Sequence, residues 1–324
     1  MPPLPLTLAC WDYDRTRPLI DGRVKPDNID LTVKVMRPRE AFERMLATGE
    51  FDISEMSFAN YVSLKGKGVC PLVAIPVMLS KMFRHSCIYV RSDSGIKSLG
   101  DLADRRVGTM RYTSTALVFA RGLLSDECGV VAKDIQWFIG GINKSMKSVR
   151  PENVTDRMAC TILSNSQTLD GMLLAGEIEA MITQDLPNSF VQGDQCIRRL
   201  FPDHKAAEID YFKRTGIFPI MHVVVIRKDV YDANPWVASS LFEAFSLAKD
   251  EALSHLYDTD ALHLSLPFLI DHYEEAVRCL GADYFSYGLE SNRAAVSALC
   301  RYVYEQGLSP RLVFPEELFA PALD

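Results

Sequence analysis

The sequence predicts an α/β protein of two lobes with a ligand cleft between them. Short, β-branched apolar runs alternate with stretches of helical spacing, as in strands packed beneath crossover helices. A complete set of such elements over residues 106–183 is bracketed by two apolar strands, Cys87-Ile-Tyr-Val90 and Met221–Ile226. If those strands carry the chain between lobes, it enters the second lobe once and returns once. Lobe one is then 1–90 with 218–324, and lobe two is 91–217. The 324 residues suffice for one large or two medium domains. Ligands of open α/β sheets lie at strand carboxyl ends and helix N-termini, which places the site in the cleft.

The elements follow in order. Leu6–Cys10 reads as a strand, and Arg37–Thr48 as a helix with Ala41, Phe42, Met45 and Leu46 at helical spacing. Phe51–Ser57 is a short strand and loop, Pro71–Val77 and Cys87–Val90 are strands, and Ser98 caps a helix start. Arg106–Met110 is a strand, and Thr113–Ala116 opens the helix Leu117–Asp126. Asp134–Ile139 is a strand, and Gln167–Ala175 is a helix ended by Gly176. Ala180–Thr183 and Phe218–Arg227 are strands, and the chain is mostly helical from Asn234 onward. Parallel sheets are expected from this alternation.

Apolar residues make up 48% and charged residues 24%, ordinary for a soluble globular protein. A net charge of −7 argues against a nucleic-acid partner, and an anionic ligand needs a local basic pocket. No apolar run reaches membrane-spanning length, so no membrane partner is expected. The N-terminus has no Lys or Arg before its short, Pro-interrupted apolar run, so the expected location is cytoplasmic. The eight cysteines are scattered with no C-x-x-C pair, which reads as mostly buried free thiols and neither zinc site nor disulfide framework. Sequons at Asn143 and Asn153 mean nothing in a cytosolic protein. No G-x-S-x-G, P-loop or G-x-G-x-x-G occurs, and no metal-ligand spacing, so no cofactor or metal is expected. Homo-oligomerisation stays open.

Phe83-Arg-His-Ser86 is a charged, titratable cluster between two apolar strands. Arginine is rarely buried without a partner, so this pair is expected to open onto the cleft. The alternative is a strand-edge arginine beside a satisfied core histidine.

Several blocks together resemble the 4,5-dihydroxyphthalate decarboxylase family. They are Trp11-Asp-Tyr-Asp-Arg15, Glu40–Met45, Phe51-Asp-Ile-Ser-Glu-Met-Ser57, Ala74–Val77, Phe83–Ser86, Ser94–Ile96, Asp101-Leu102, Arg106–Gly108 and Gly216–His222. The likeness runs over roughly residues 5–320, and Ser-Glu-Met-Ser and Phe-Arg-His-Ser are its most specific parts. It implies a type II periplasmic-binding-protein-like fold and a metal-independent decarboxylase of aromatic acids bearing phenolic hydroxyls. Its substrate is a small aromatic carboxylate.

That chemistry protonates the ring carbon, gives a dienone-like intermediate, and then loses CO2 as aromaticity returns. It needs an acid for carbon, an acceptor for the phenol, and cationic donors for the carboxylate. His85 is the first choice of acid, with Glu55 as its partner carboxylate. His222, alone in an apolar strand, reads either as a hydrogen-bonded core residue or as a second catalytic histidine. Arg15 and Arg84 are the carboxylate clamps, and Ser57 of the Ser-Glu-Met-Ser block is a further substrate contact. Arg111 with Thr113, Ser114 and Thr115 follows a strand and precedes a helix, which suits an oxyanion; one of these hydroxyls could equally be only an N-cap. Asp185 is either a phenol acceptor or a loop residue before Pro187. Two other readings stand beside the decarboxylase. One is a solute-binding protein for an aromatic or sulfonate anion, and the other is a biosynthetic lyase on the same scaffold with a larger substrate.

Overall fold

The computed structural model describes residues 2–146 and 160–321; the Asn153 sequon lies outside the described residues. In chain order the strands are β1 (Leu4–Cys10), β2 (Ile29–Val35), β3 (Ile53–Ser57), β4 (Leu72–Lys81), β5 (Ile88–Arg91), β6 (Arg106–Thr109), β7 (Gln136–Ile139), β8 (Cys160–Ile162), β9 (Ala180–Ile182), β10 (Ile197–Arg199) and β11 (Ile220–Arg227). They form a five-stranded sheet in the order β2-β1-β3-β11-β4 and a six-stranded sheet in the order β10-β5-β9-β6-β7-β8. Val107 and Val224 therefore lie in different sheets.

Each sheet belongs to its own compact unit. Unit one comprises Met1–Lys81, Ile220–Val296 and Val313–Asp324, and unit two comprises Met82–Pro219 and Ser297–Leu312. These bounds correct the expected lobes, 1–90 with 218–324 and 91–217, at two places. β5 pairs with β9 and β10, so residues 82–90 go with the second sheet rather than the first. Near the C-terminus, Gln306 bonds the Arg121 guanidinium at 2.8 Å and the Val118 carbonyl at 2.9 Å, and Arg301 pairs with Asp126. Those contacts hold Ser297–Leu312 in unit two, so the chain passes between units more often than the single excursion expected. Gly122 permits part of this docking, since a Cβ there would stand 2.4 Å from the Tyr302 ring.

The sheets are mixed rather than parallel. In unit one β1 runs parallel to β2 and β3, while β11 is antiparallel to both β3 and β4. In unit two β5 is antiparallel to β9 and β10, and the rest is parallel. Ile53, Ala74, Ile75 and Val223–Val225 are fully buried, as the continuous apolar runs of central strands require. The second core gathers Tyr89, Leu169, Leu173, Ile178 and Met181 under the helix Leu169–Ala175, which ends at Gly176 in the left-handed region at φ 76°.

Two elements have weaker signals. Strand β2 is an edge strand whose Ile-Asp-Leu-Thr-Val-Lys-Val alternates because only one face is covered. The helix Phe58–Gly66 starts directly from β3, with no breaker to announce it. Ser98 caps only a short 3₁₀ turn, Leu99–Leu102, where its amide and hydroxyl both donate to Asp101. The cysteines are free, but only Cys10, Cys87 and Cys300 are buried; Cys128 and Cys196 are exposed in a helix end and a turn. Among the described residues, no helix is long and apolar enough to cross a membrane.

Candidate active site

Strand β3 lies between β1 and β11, and all five of its residues are buried. Its central Glu55 is 0% exposed. An isolated carboxylate there would be very costly, so it must be paired and hydrogen-bonded. Register supplies the partner. Val224 stands opposite Glu55 and His222 opposite Ser57, which puts His222 diagonal to Glu55 on the same sheet face. The His222 Nδ1 lies 2.6 Å from Glu55 Oε1.

The turn after β1 adds two donors. The Trp11 amide donates to Glu55 Oε2 at 3.0 Å, and the Tyr13 hydroxyl donates to Oε1 at 2.6 Å. Thr16 fixes that turn by accepting from the Tyr13 amide at 2.9 Å and donating to the Trp11 carbonyl at 2.8 Å. Burial alone would push the Glu55 carboxyl up. The hydrogen bond and charge of His222, the Tyr13 hydroxyl and the Trp11 amide outweigh burial and hold it below the usual carboxylate range. Burial, and then the Glu55 charge, push the Tyr13 phenol up, so it stays a donor.

An ionised Glu55 only accepts, so His222 Nδ1 carries the proton it shares. Nε2 makes no hydrogen bond within the described residues, and the imidazole side chain is 21% exposed. The Phe42 ring meets it edge-on at 4.9 Å between centroids, which limits its rotation. Arg15 continues the cluster. Its guanidinium covers the Tyr13 ring at 4.1 Å and the Phe285 ring at 4.5 Å. Its Nε donates to the Leu79 carbonyl at 2.8 Å and its Nη1 to Asp14 at 3.0 Å. Nη2 has no hydrogen bond to the described residues, and the side chain is 14% exposed. Unit one thus holds Glu55, His222, Ser57 and Arg15 of the expected residues.

The remaining expected residues belong to unit two. The pairing expected for Glu55 is corrected here: its histidine is His222, not His85. His85 is 5% exposed and does not open outward. It meets Phe201 and Tyr211 edge-on at 5.3 and 5.4 Å, and its Nδ1 has no hydrogen-bond partner among the described residues. Burial pushes it down to about 4. Arg84 is half-buried, with Nη1 beside the Met82 and Cys87 sulfurs. Ser114 is the residue before the helix Thr115–Cys128, but its hydroxyl turns back to the Arg111 carbonyl at 3.2 Å instead of capping. Thr113 lies in the preceding turn and Thr115 is buried. Asp185 is exposed, in a turn where Thr183 donates to its carbonyl and accepts from its amide. That is the loop alternative.

Two residues of the unit-one cluster escaped the sequence reading. Tyr13 sat in view within Trp11–Arg15, but nothing local ties a tyrosine to a carboxylate 42 residues away. Lys81 ends β4, which runs past the expected Val77; its Nζ lies 3.2 Å from the Ser286 hydroxyl. A lysine closing an apolar strand was the available signal. Among the described residues, no group of three or more His, Cys, Asp or Glu side chains is arranged to hold a metal ion.

The arrangement is an imidazole held by a buried carboxylate, with a guanidinium over the tyrosine that shares that carboxylate, and such a set can donate a proton. A family model described as an ABC transporter, phosphonate, periplasmic substrate-binding protein matches residues 26–159. Among solved structures, the periplasmic aliphatic sulphonate binding protein from Escherichia coli superposes with a TM-score of 0.55 at 14% identity, covering 99% of each chain. The alkanesulfonate-binding protein from Xanthomonas axonopodis pv. citri, bound to MOPS, gives 0.52 at 14%, covering 98% of this chain and 99% of that one. At such identity the likeness concerns the fold alone: that of the periplasmic binding proteins. In sequence, a 4,5-dihydroxyphthalate decarboxylase of Comamonas testosteroni is 37% identical over 323 residues, 99% of this chain and 98% of that protein. One of Pseudomonas putida is 34% identical over 65% of this chain and 82% of its own length. With that identity sustained along nearly its whole length, the chain belongs to the 4,5-dihydroxyphthalate decarboxylase family.

Proposed function

We propose that this protein is a carboxy-lyase that removes CO2 without oxidation from a hydroxylated aromatic acid, 4,5-dihydroxyphthalate or a related hydroxybenzoate or phthalate. The observation that carries the reading is the buried, ionised Glu55 holding His222 by Nδ1. A solute-binding site needs donors for an anion; it has no need of a buried carboxylate that fixes one imidazole tautomer. With Nδ1–H committed to Glu55, a protonated His222 offers Nε2–H to the ring carbon that bears the carboxylate. A new C–H bond forms there, and a phenolic oxygen supplies the electrons as the ring becomes dienone-like. Cleavage of the bond to the carboxylate returns its electron pair to the ring and releases CO2. His222 recovers its proton from solvent. The Arg15 Nη2 is available to orient the leaving carboxylate, its guanidinium held by Leu79, Asp14 and two aromatic rings.

The test is turnover. Purified protein is incubated with a panel of hydroxylated benzoates and phthalates, and evolved CO2 is measured. Release from members with a hydroxyl para or ortho to a carboxylate supports the reading. The second reading, a binding protein for an aromatic or sulfonate anion, draws on the family-model match over residues 26–159. Tight binding of such anions with no CO2 from any panel member would favour it.

A further inference from the structure

Beside the Glu55–His222 pair lies a second group of buried ionisable side chains that the steps above do not use. Lys81 closes β4 and is 8% exposed. Its Nζ lies 3.2 Å from the Ser286 hydroxyl and 5.5 Å from the centroid of Phe285. The Arg15 guanidinium covers that same Phe285 ring and also Tyr13, whose hydroxyl is on Glu55. Contact is therefore continuous from Lys81 through Phe285, Arg15 and Tyr13 to the Glu55–His222 pair. Around it, Lys249 of the helix Val237–Ser254 lies 3.2 Å from Asp283 and 3.0 Å from Asp250. Its Nζ is also 5.4 Å from the centroid of Tyr287, whose buried hydroxyl has no hydrogen-bond partner among the described residues. An orphaned buried hydroxyl costs free energy and points to a missing polar partner.

The decarboxylase reading leaves one proton unassigned. The phenol that feeds electrons into the ring must shed its proton before the dienone forms. We propose that Lys81 takes that phenolic proton, from its place on Ser286 and beside the Phe285 ring that Arg15 also contacts, and so serves as the second proton-handling group of the reaction. The proposal rests on the decarboxylase reading. In the step, the substrate O–H bond breaks and its proton forms an N–H bond to the neutral amine. The freed oxygen pair becomes the dienone carbonyl as His222 protonates the ring carbon. After CO2 leaves, the oxygen takes the proton back from the Lys81 ammonium. No oxidant or reductant enters.

A lysine of ordinary acidity is charged at neutral pH and accepts nothing. Burial is the main cause that brings Lys81 from its usual 10.5 down to about 7; Asp283 opposes it, while Lys249 and Arg15 assist it. At a value near 7, part of the Lys81 population carries a neutral amine at neutral pH.

The test compares wild type with Lys81→Met and Lys81→Arg, by turnover, pH profile and thermal melting. In the active wild type, kcat/KM is expected to fall below about pH 7. Both variants should lose about 10²–10⁴-fold in kcat near neutral pH. Their rate should climb with pH as the substrate phenol ionises by itself, with KM changed only a few-fold. Arginine keeps the charge and the hydrogen bonding but cannot accept the proton, so a merely structural Lys81 would leave Lys81→Arg near wild-type rate with its pH profile unmoved. That result overturns the proposal and leaves the decarboxylase reading standing. Absence of CO2 from wild type on every panel member removes both. An NMR titration of the lysine ε-carbons in wild type, assigned through the backbone, gives a readout that needs no foldable variant. A Lys81 amine still charged above pH 9 overturns the proposal; loss of the proton near 7 supports it.

Discussion

The two units each place a histidine in their interior, in opposite surroundings. His222 lies on a central strand with a buried carboxylate 2.6 Å from Nδ1. His85 lies in a short turn against Phe201 and Tyr211, with its Nδ1 unpartnered among the described residues. Glu55 gives the first an acceptor for one nitrogen and leaves the other for chemistry. Burial gives the second only a cost for being charged, which drives it down to about 4. A carboxylate that fixes the tautomer suits an imidazole to proton donation, whereas burial alone only disfavours its charged form.

Removing the carboxylate should separate the two histidines most. Glu55→Gln and His222→Asn are each expected to lower kcat by about 10²–10⁴-fold, measured by CO2 release beside thermal melting. A Glu55→Gln protein that melts lower but keeps parent turnover would take the pair out of the mechanism. Arg15→Ala comes next. Loss of a charge-assisted hydrogen bond costs about 1.5–3 kcal/mol, so KM should rise roughly 10- to 100-fold. An unchanged KM would place the carboxylate elsewhere.

His85 supplies the converse test. Its folded value of about 4 lies below its ordinary 6.5, so between those values the unfolded chain binds a proton that the folded chain refuses. Its contribution is present above pH 6.5 and is lost as pH falls toward 4, by about 3 kcal/mol in all. His85→Phe should therefore flatten the melting temperature across that window while turnover stays within a few-fold of the parent. Collapse of turnover in a normally melting His85→Phe protein would restore His85 as the acid. The smallest effect is expected from exhaustive chelation. The proposed steps are proton transfers, so turnover should not change; a loss restored by one divalent metal would redirect the mechanism.

The sequence by itself determined the α/β class, most strand positions and several helix ends. These are local properties: apolar periodicity, a Gly176 that reaches the left-handed region, a Ser98 that caps the turn closed by Asp101. It also marked Glu55, His222 and Arg15 as candidates, because the types of residue that move protons and bind carboxylates are few. Only the tertiary structure decided which of them meet. Glu55 and His222 are 167 residues apart and touch through the register of β3 with β11, which a shift of one residue would undo. The place of β5 was decided in the same way, by its hydrogen bonds to β9 and β10, and that moved residues 82–90, His85 among them, into the second unit. Composition and spacing act over a few residues, whereas pairing across a sheet depends on strands distant in the chain. Pairing therefore set the partner of Glu55, and with it the environment of each histidine.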